Sequence, residues 1–159
     1  MIIIVMGISG CGKSTIGRLL ARRLHLPFYD ADDYHPEQNI AKMKNGIPLT
    51  DEDRQPWLEQ LAALTEQWEK NKGAILACSA LKEKYRQLLQ KNVVAQWVYL
   101  EGDPETIHLR CKDRKGHFMP ASLIQSQYDT LEKPAYGIHL DIKLSPEDLV
   151  EKVIKELNL

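Results

Sequence analysis

The chain has 159 residues, 43% hydrophobic and 27% charged, the length and balance of one soluble domain with a single packed core. Lys plus Arg number 21 against 22 for Asp plus Glu, a net charge of -1; this excludes a general nucleic-acid binder, which spreads a basic field over one face. The three cysteines (Cys11, Cys78, Cys111) are odd in number and lack CxxC spacing, so neither a disulfide framework nor a zinc site is expected, and a reducing cytoplasm is.

Met1 to Met6 is a continuous apolar run, expected to form a central parallel strand and too short to span a bilayer. A glycine-rich turn follows, then a helical pattern from about Lys13 to Leu24 with Ile16, Leu19, Leu20 and Leu24 on one stripe. Pro27 to Asp30 reads as a second strand ending in acids. The polar stretch Asp32 to Thr50 reads as loop plus short helix. A long helix starts at Thr50, which can cap it with Asp53 in the capping-box position; Trp57, Leu61, Leu64 and Trp68 mark its buried face.

Ala74 to Cys78 is a third strand, Leu81 to Leu89 a helix and Val93 to Leu100 a fourth strand. A helix from Pro104 towards Arg114, a loop around Gly116 to Pro120 and a helix over Ser122 to Leu131 come next. Ile138 to Leu144 is the last strand. Ser145-Pro146-Glu147-Asp148 supplies an N-cap, a proline at the first helical position and early acids for a closing helix. Strands alternating with helices predict an α/β domain whose ligands lie at the carboxyl ends of parallel strands.

Gly7-Ile8-Ser9-Gly10-Cys11-Gly12-Lys13-Ser14 matches G-x-x-x-x-G-K-[ST], in the strand-to-helix setting that gives the motif its meaning. Glycines let backbone N–H groups converge on phosphate oxygens, and the helix dipole adds positive potential. Gly7, Ser9, Gly10, Cys11, Gly12, Lys13, Ser14 and Thr15 therefore form the expected nucleotide set. Lys13 would reach the β- and γ-phosphates and Ser14 would coordinate Mg²⁺. The motif alone leaves NTPase, GTPase switch and kinase open. A guanine-reading N-K-x-D is missing, because Asn71-Lys72-Gly73-Ala74 lacks the aspartate, and Asp113-Arg114-Lys115-Gly116 follows a helix where a metal-binding D-x-x-G should follow a strand. The third strand ends in Cys78-Ser79 without a metal-binding aspartate, so Asp30 is placed to serve the metal through water.

Arg110 and Arg114 lie one helical turn apart. They form either a solvated basic face or a pair of planar cations, with Arg110 against adenine and Arg114 over the transferring phosphoryl group. Lys82 and Arg86 form a second repelling pair near a helix N-terminus. That placement is unfavourable unless an anion joins them or both stay in solvent.

Beyond the P-loop, the strings DADDYHP, KM..GIPLTDEDR.PWL, CSALK..YR, GHFMP and SQ..TLE.P run in order along the chain. With them the sequence closely resembles the gluconokinase family over essentially its whole length. The resemblance implies a three-layer P-loop fold like that of shikimate and nucleoside monophosphate kinases, with a five-stranded parallel sheet in the order 2-3-1-4-5, helices on both faces and a short lid. It implies one kinase domain over 1–159, with an acceptor segment at about 32–60 and a lid at about 114–122. It further implies ATP with Mg²⁺, D-gluconate as a small-molecule acceptor phosphorylated at its 6-hydroxyl, entry into the pentose phosphate route, and a homodimer. Carried onto matching positions, Asp32 would bind the polyol and act as base, Asp30 would serve the metal, and Arg54, Lys82 and Arg86 would hold the carboxylate and hydroxyls. His35 would line the pocket, although a histidine before proline is as often a structural cap. A kinase for shikimate or a nucleoside monophosphate is the rival reading; a nucleotide-binding module without catalysis is a rival of another class.

Overall fold

The structure is a computed structural model that describes residues 1–112 and 122–159. Its centre is β1 (Ile2–Met6), in which all five side chains are fully buried. Burying each such aliphatic side chain contributes about 1.5–3 kcal/mol, which accounts for a run without polar alternation. β1 pairs in parallel with β3 (Ala74–Ala77) on one side and β4 (Ala95–Glu101) on the other. β2 (Phe28–Asp30) adds to β3, and β5 (Ile138–Asp141) adds to β4. The sheet is parallel throughout, in the order β2-β3-β1-β4-β5.

Right-handed crossovers distribute the helices over the two faces. The chain leaves β1 through α1 (Lys13–Leu24), passes over β3 and enters β2. It then reverses direction, so α2 (Glu37–Lys44), α3 (Asp51–Lys70) and α4 (Glu83–Leu89) fall on the opposite face, where α3 packs on α4. α5 (Pro104–Lys112) and α6 (Ser122–Thr130) pair with each other, and α7 (Pro146–Glu156) returns to pack on α1.

The ends of the elements follow local chemistry. Thr50 accepts from the Asp53 N–H at 3.1 Å while Asp53 accepts from the Thr50 N–H at 2.9 Å, the capping box expected for α3. Ser145 caps α7. The last strand is shorter than its apolar pattern suggested. Asp141 accepts from the Lys143 N–H at 2.9 Å and its carbonyl from the Leu144 N–H at 3.1 Å, so a turn closes before Leu144. β4 likewise begins at Ala95, with Val94 82% exposed. The polar stretch after β2 folds into a 3₁₀ turn (Ala31–Tyr34) and then α2. β1 sits where the strand order changes direction, and the segments after β1, β2 and β3 open into one cleft beside it.

Candidate active site

The cleft starts at the turn between β1 and α1. Gly12 is the N-cap of α1 at φ 97°, a left-handed conformation that favours glycine. A Cβ on Gly7 would come within 2.8 Å of Cys11 Sγ and 2.9 Å of the Leu100 carbonyl. The Cys11 thiol is therefore packed inward, 2% exposed, and this position can offer a phosphate only its backbone. α1 begins with no side-chain cap and no acid in its first turn. By contrast, α3 begins with three acids and a capping box, and α7 with Ser145 and two acids. The positive end of α1 alone among these three is left for an external anion. Lys13 lines the cleft with Nζ donating to the Ile8 carbonyl at 2.9 Å.

Ser14 Oγ donates to Asp30 Oδ2 at 2.7 Å. A hydroxyl and a carboxylate in contact at the start of α1 and the end of β2 form an all-oxygen pair of the kind a hard divalent cation uses. Asp30 Oδ1 also accepts from the Asp32 N–H at 3.0 Å, which fixes the turn that carries Asp32 into the cleft. Half of the Asp32 side chain is reachable from the cleft. The enclosing walls, then the neighbouring Asp30 carboxylate, nonetheless push its pKa up to about 6.

His35 faces Asp32, with Nε2 3.7 Å from Oδ1. Its ring stacks on Trp57 at 4.0 Å between centroids, and Nδ1 lies 3.3 Å from Asn39 Nδ2. Because Asn39 Nδ2 donates to this nitrogen and to the Asp53 carbonyl, Nδ1 is the acceptor and Nε2 carries the proton towards Asp32. Burial, then the Arg54 charge, lowers the His35 pKa to about 4, so the ring is neutral at pH 7. Trp57, 3% exposed and donating to the Ala31 carbonyl at 2.7 Å, is core that also forms the cleft floor.

Arg54, one turn into α3, lines the same cleft. Nη1 donates to the Leu49 carbonyl at 2.8 Å and to the Tyr85 hydroxyl at 3.1 Å. Among the described residues, neither Arg54 nor Lys13 has a carboxylate partner.

The other two cations expected here stand elsewhere. Arg86 is 1% exposed and does not line the cleft. Nη1 donates to the Ala80 and Leu81 carbonyls at 2.7 and 3.2 Å, Nη2 to the Glu132 carbonyl at 2.8 Å, and Nε to Glu83 and the Tyr136 hydroxyl. The expectation that it holds substrate is corrected: its donors are consumed in tying α4 to the segment after α6. Lys82 also lies outside the cleft lining, with Nζ 3.2 Å from Asp51 Oδ1. Asp51 takes Lys84 and the Tyr85 hydroxyl as well, and these hydrogen bonds, that from Lys84 first, hold its carboxyl well below the usual range. The anion that the Lys82–Arg86 pairing demanded is thus supplied by the protein, through Asp51 and Glu83.

Arg110 borders a second hollow beside the P-loop, with Gly10, Gly12, Thr15, Pro146 and Leu149, and donates from Nη2 to the Ile142 carbonyl at 2.7 Å. Its apolar walls and planar cation suit a flat heteroaromatic ring. Arg114 and all but the last residue of the expected lid at about 114–122 lie outside the described residues.

One part of the cleft includes the start of the SQ..TLE.P string, to whose residues the resemblance assigned no role. Gln127 Oε1 accepts from the Ser9 N–H at 2.7 Å and Nε2 lies 3.3 Å from Ser9 Oγ. Leu123, Ser126 and Gln127 all line the cleft. Their i, i+3, i+4 spacing is the signal that could have found them, since it places all three on one helical face.

A uniformly parallel sheet, an uncapped helix behind a P-loop, a hydroxyl–carboxylate pair beside it and a cleft that also takes in Arg54 are the features of a P-loop phosphotransferase acting on a small molecule. A shikimate kinase family model matches residues 9–157. Thermosensitive gluconokinase of Escherichia coli (strain K12) is 48% identical over 133 residues, covering 82% of this chain and 71% of that one. A gluconokinase structure from Sinorhizobium meliloti 1021 superposes with a TM-score of 0.87 at 39% identity, covering 99% of this chain and 91% of that one. An unliganded sugar kinase from Janibacter sp. HTCC2649 gives 0.91 at 45% identity, covering 98% and 93%. The chain belongs to the gluconokinase family.

Proposed function

We propose that the protein transfers the γ-phosphoryl group of ATP to the 6-hydroxyl of D-gluconate. The observation that carries this reading is a single cleft holding two cations without carboxylate partners among the described residues. Lys13 stands at the P-loop, and Arg54 stands on the wall that follows β2. A substrate anionic at one end and phosphorylated at the other satisfies both, and leaving such cations desolvated without an anion is costly.

Phosphoryl transfer passes through a loose transition state, so positioning and charge stabilisation do most of the work. The P-loop N–H groups and Lys13 hold the phosphates. Ser14 and Asp30 would hold Mg²⁺, which neutralises phosphate charge when bound. Asp32, ionised at pH 7, accepts the proton of the attacking hydroxyl or holds that hydroxyl in line. The bond from phosphorus to the β–γ bridging oxygen breaks as the bond to the acceptor oxygen forms, leaving ADP. The neutral His35 ring steadies Asp32 or a substrate hydroxyl with its Nε2–H. Arg54 reads the carboxylate and Arg110 faces adenine, while Arg114 would cover the transferring group. On this reading the enzyme is a cytoplasmic homodimer that feeds the pentose phosphate route.

The test is ADP release with a panel of acceptors at saturating MgATP. Gluconate should exceed glucose, sorbitol, shikimate and AMP by about a thousandfold in kcat/KM. Equal rates with the neutral polyols would remove the carboxylate-reading role of Arg54, and preference for shikimate or AMP would replace the reading.

A further inference from the structure

We infer that Tyr85 and Asp51 are positioning residues that aim Arg54 at the acceptor's carboxylate and thereby set the preference for an anionic acceptor. The inference rests on the functional reading above. Tyr85 is 4% exposed, and burial followed by the hydrogen bond to Asp51 pushes its pKa up to about 12, so its hydroxyl keeps its proton. That proton is committed to Asp51 Oδ1. The polarity of the chain of bonds is then fixed. With its hydrogen directed at Asp51, the Tyr85 oxygen presents a lone pair to Arg54, and Nη1 donates into it at 3.1 Å. Lys82 and Lys84 hold Asp51 in place from outside the cleft.

The geometry divides the guanidinium in two. Nη1 is tied down by the Leu49 carbonyl and the Tyr85 hydroxyl, whereas Nε and Nη2 take no partner among the described residues. An Nε–Nη2 edge presents two parallel N–H groups, the fork that matches a carboxylate. The Tyr85 ring also lies beneath the guanidinium, 5.4 Å from its centroid to Cζ, with Lys82 Nζ at 5.8 Å from the same centroid. A long side chain with several rotamers is thus held in one orientation before substrate arrives, which removes an ordering cost from binding. Lys82 acts on the acceptor only at second hand, by fixing Asp51.

Tyr85→Phe tests this directly, because it keeps the ring under Arg54 and deletes only the hydroxyl. The expected result is a rise of about five- to tenfold in the KM for gluconate. The KM for ATP should stay at the wild-type value, and the gluconate-over-sorbitol ratio of kcat/KM should fall by the same factor. Asp51→Asn should move the gluconate KM the same way, because the Tyr85 proton loses its charged acceptor. A thermal melt of each variant identifies any loss of fold, and the ratio between two acceptors in one preparation is insensitive to the folded fraction. An unchanged ratio in Tyr85→Phe overturns the inference. So does a rise in KM shared equally by gluconate and sorbitol, which would mean a loosened cleft. Wild-type protein without gluconate-dependent turnover removes the functional reading and this inference with it; normal wild-type turnover with an unaltered Tyr85→Phe removes the inference alone.

Discussion

Removing the Arg86 side chain strips its N–H donors from a site that is 1% exposed and leaves the Ala80, Leu81 and Glu132 carbonyls without them. Each buried polar group left without a partner costs about 1–3 kcal/mol. Arg86→Ala is therefore expected to lower the urea midpoint severely while leaving the gluconate KM of the surviving folded fraction near wild type. A stable variant with a raised KM would return Arg86 to the substrate site. Asp32 makes a second prediction at this scale, through pH. Its carboxyl titrates at about 6 in the ligand-free protein, so kcat/KM should drop about tenfold per unit below that pH, with the limb absent in Asp32→Asn. The sign for stability follows from the raised value. The ligand-free protein loses stability as pH rises from the ordinary carboxylate pKa through about 6, because the folded state disfavours the ionised form. Asp32→Asn should accordingly gain more in Tm over wild type at pH 8 than at pH 4; equal gains at both would mean that Asp32 is not perturbed.

Among the helices, α3 joins stability most closely to the site. Its first turn carries the capping box, Asp51 and Arg54, so the cap that starts the helix also sets where the guanidinium stands. Thr50→Ala is expected to cost about 1 kcal/mol and to raise the gluconate KM modestly, with no change for ATP; equilibrium denaturation and steady-state kinetics on one preparation check both. The element also shows what can be read from residues alone. Thr50, Asp53 and the Trp57–Leu61–Trp68 stripe announce α3 because caps and buried stripes are local patterns. The P-loop and Asp30 are legible for the same reason, since they follow strand ends, whereas the roles of Asp32 and Arg54 come from the family resemblance. The fates of Lys82 and Arg86 are not local. Their partners, Asp51 and Glu132, lie 31 and 46 residues away along the chain, and like charges one turn apart look the same whether they face a ligand or the protein's own carbonyls. Gln127 stands in the SQ..TLE.P string, but its role is hidden for a related reason. Its contact with Ser9 spans 118 residues, and its hold on the P-loop requires knowing that α6 folds back over the cleft.

Taken as a whole, the molecule brings the P-loop turn and Arg54 into the lining of one cleft, supported by a sheet whose central strand is fully buried. Its affinity for an acceptor rests on few groups, since the net charge is only -1. High ionic strength should therefore weaken gluconate binding less than it weakens proteins that use a broad basic field. The central claim is that this cleft makes a phosphate ester at the end of gluconate remote from its carboxylate. The most direct measurement is phosphorus–proton correlation NMR of the product formed from wild-type protein, MgATP and D-gluconate. The account predicts one new phosphomonoester, coupled to the C6 methylene protons and formed in step with ADP. ADP released without an ester, or an ester on any other carbon, would contradict it.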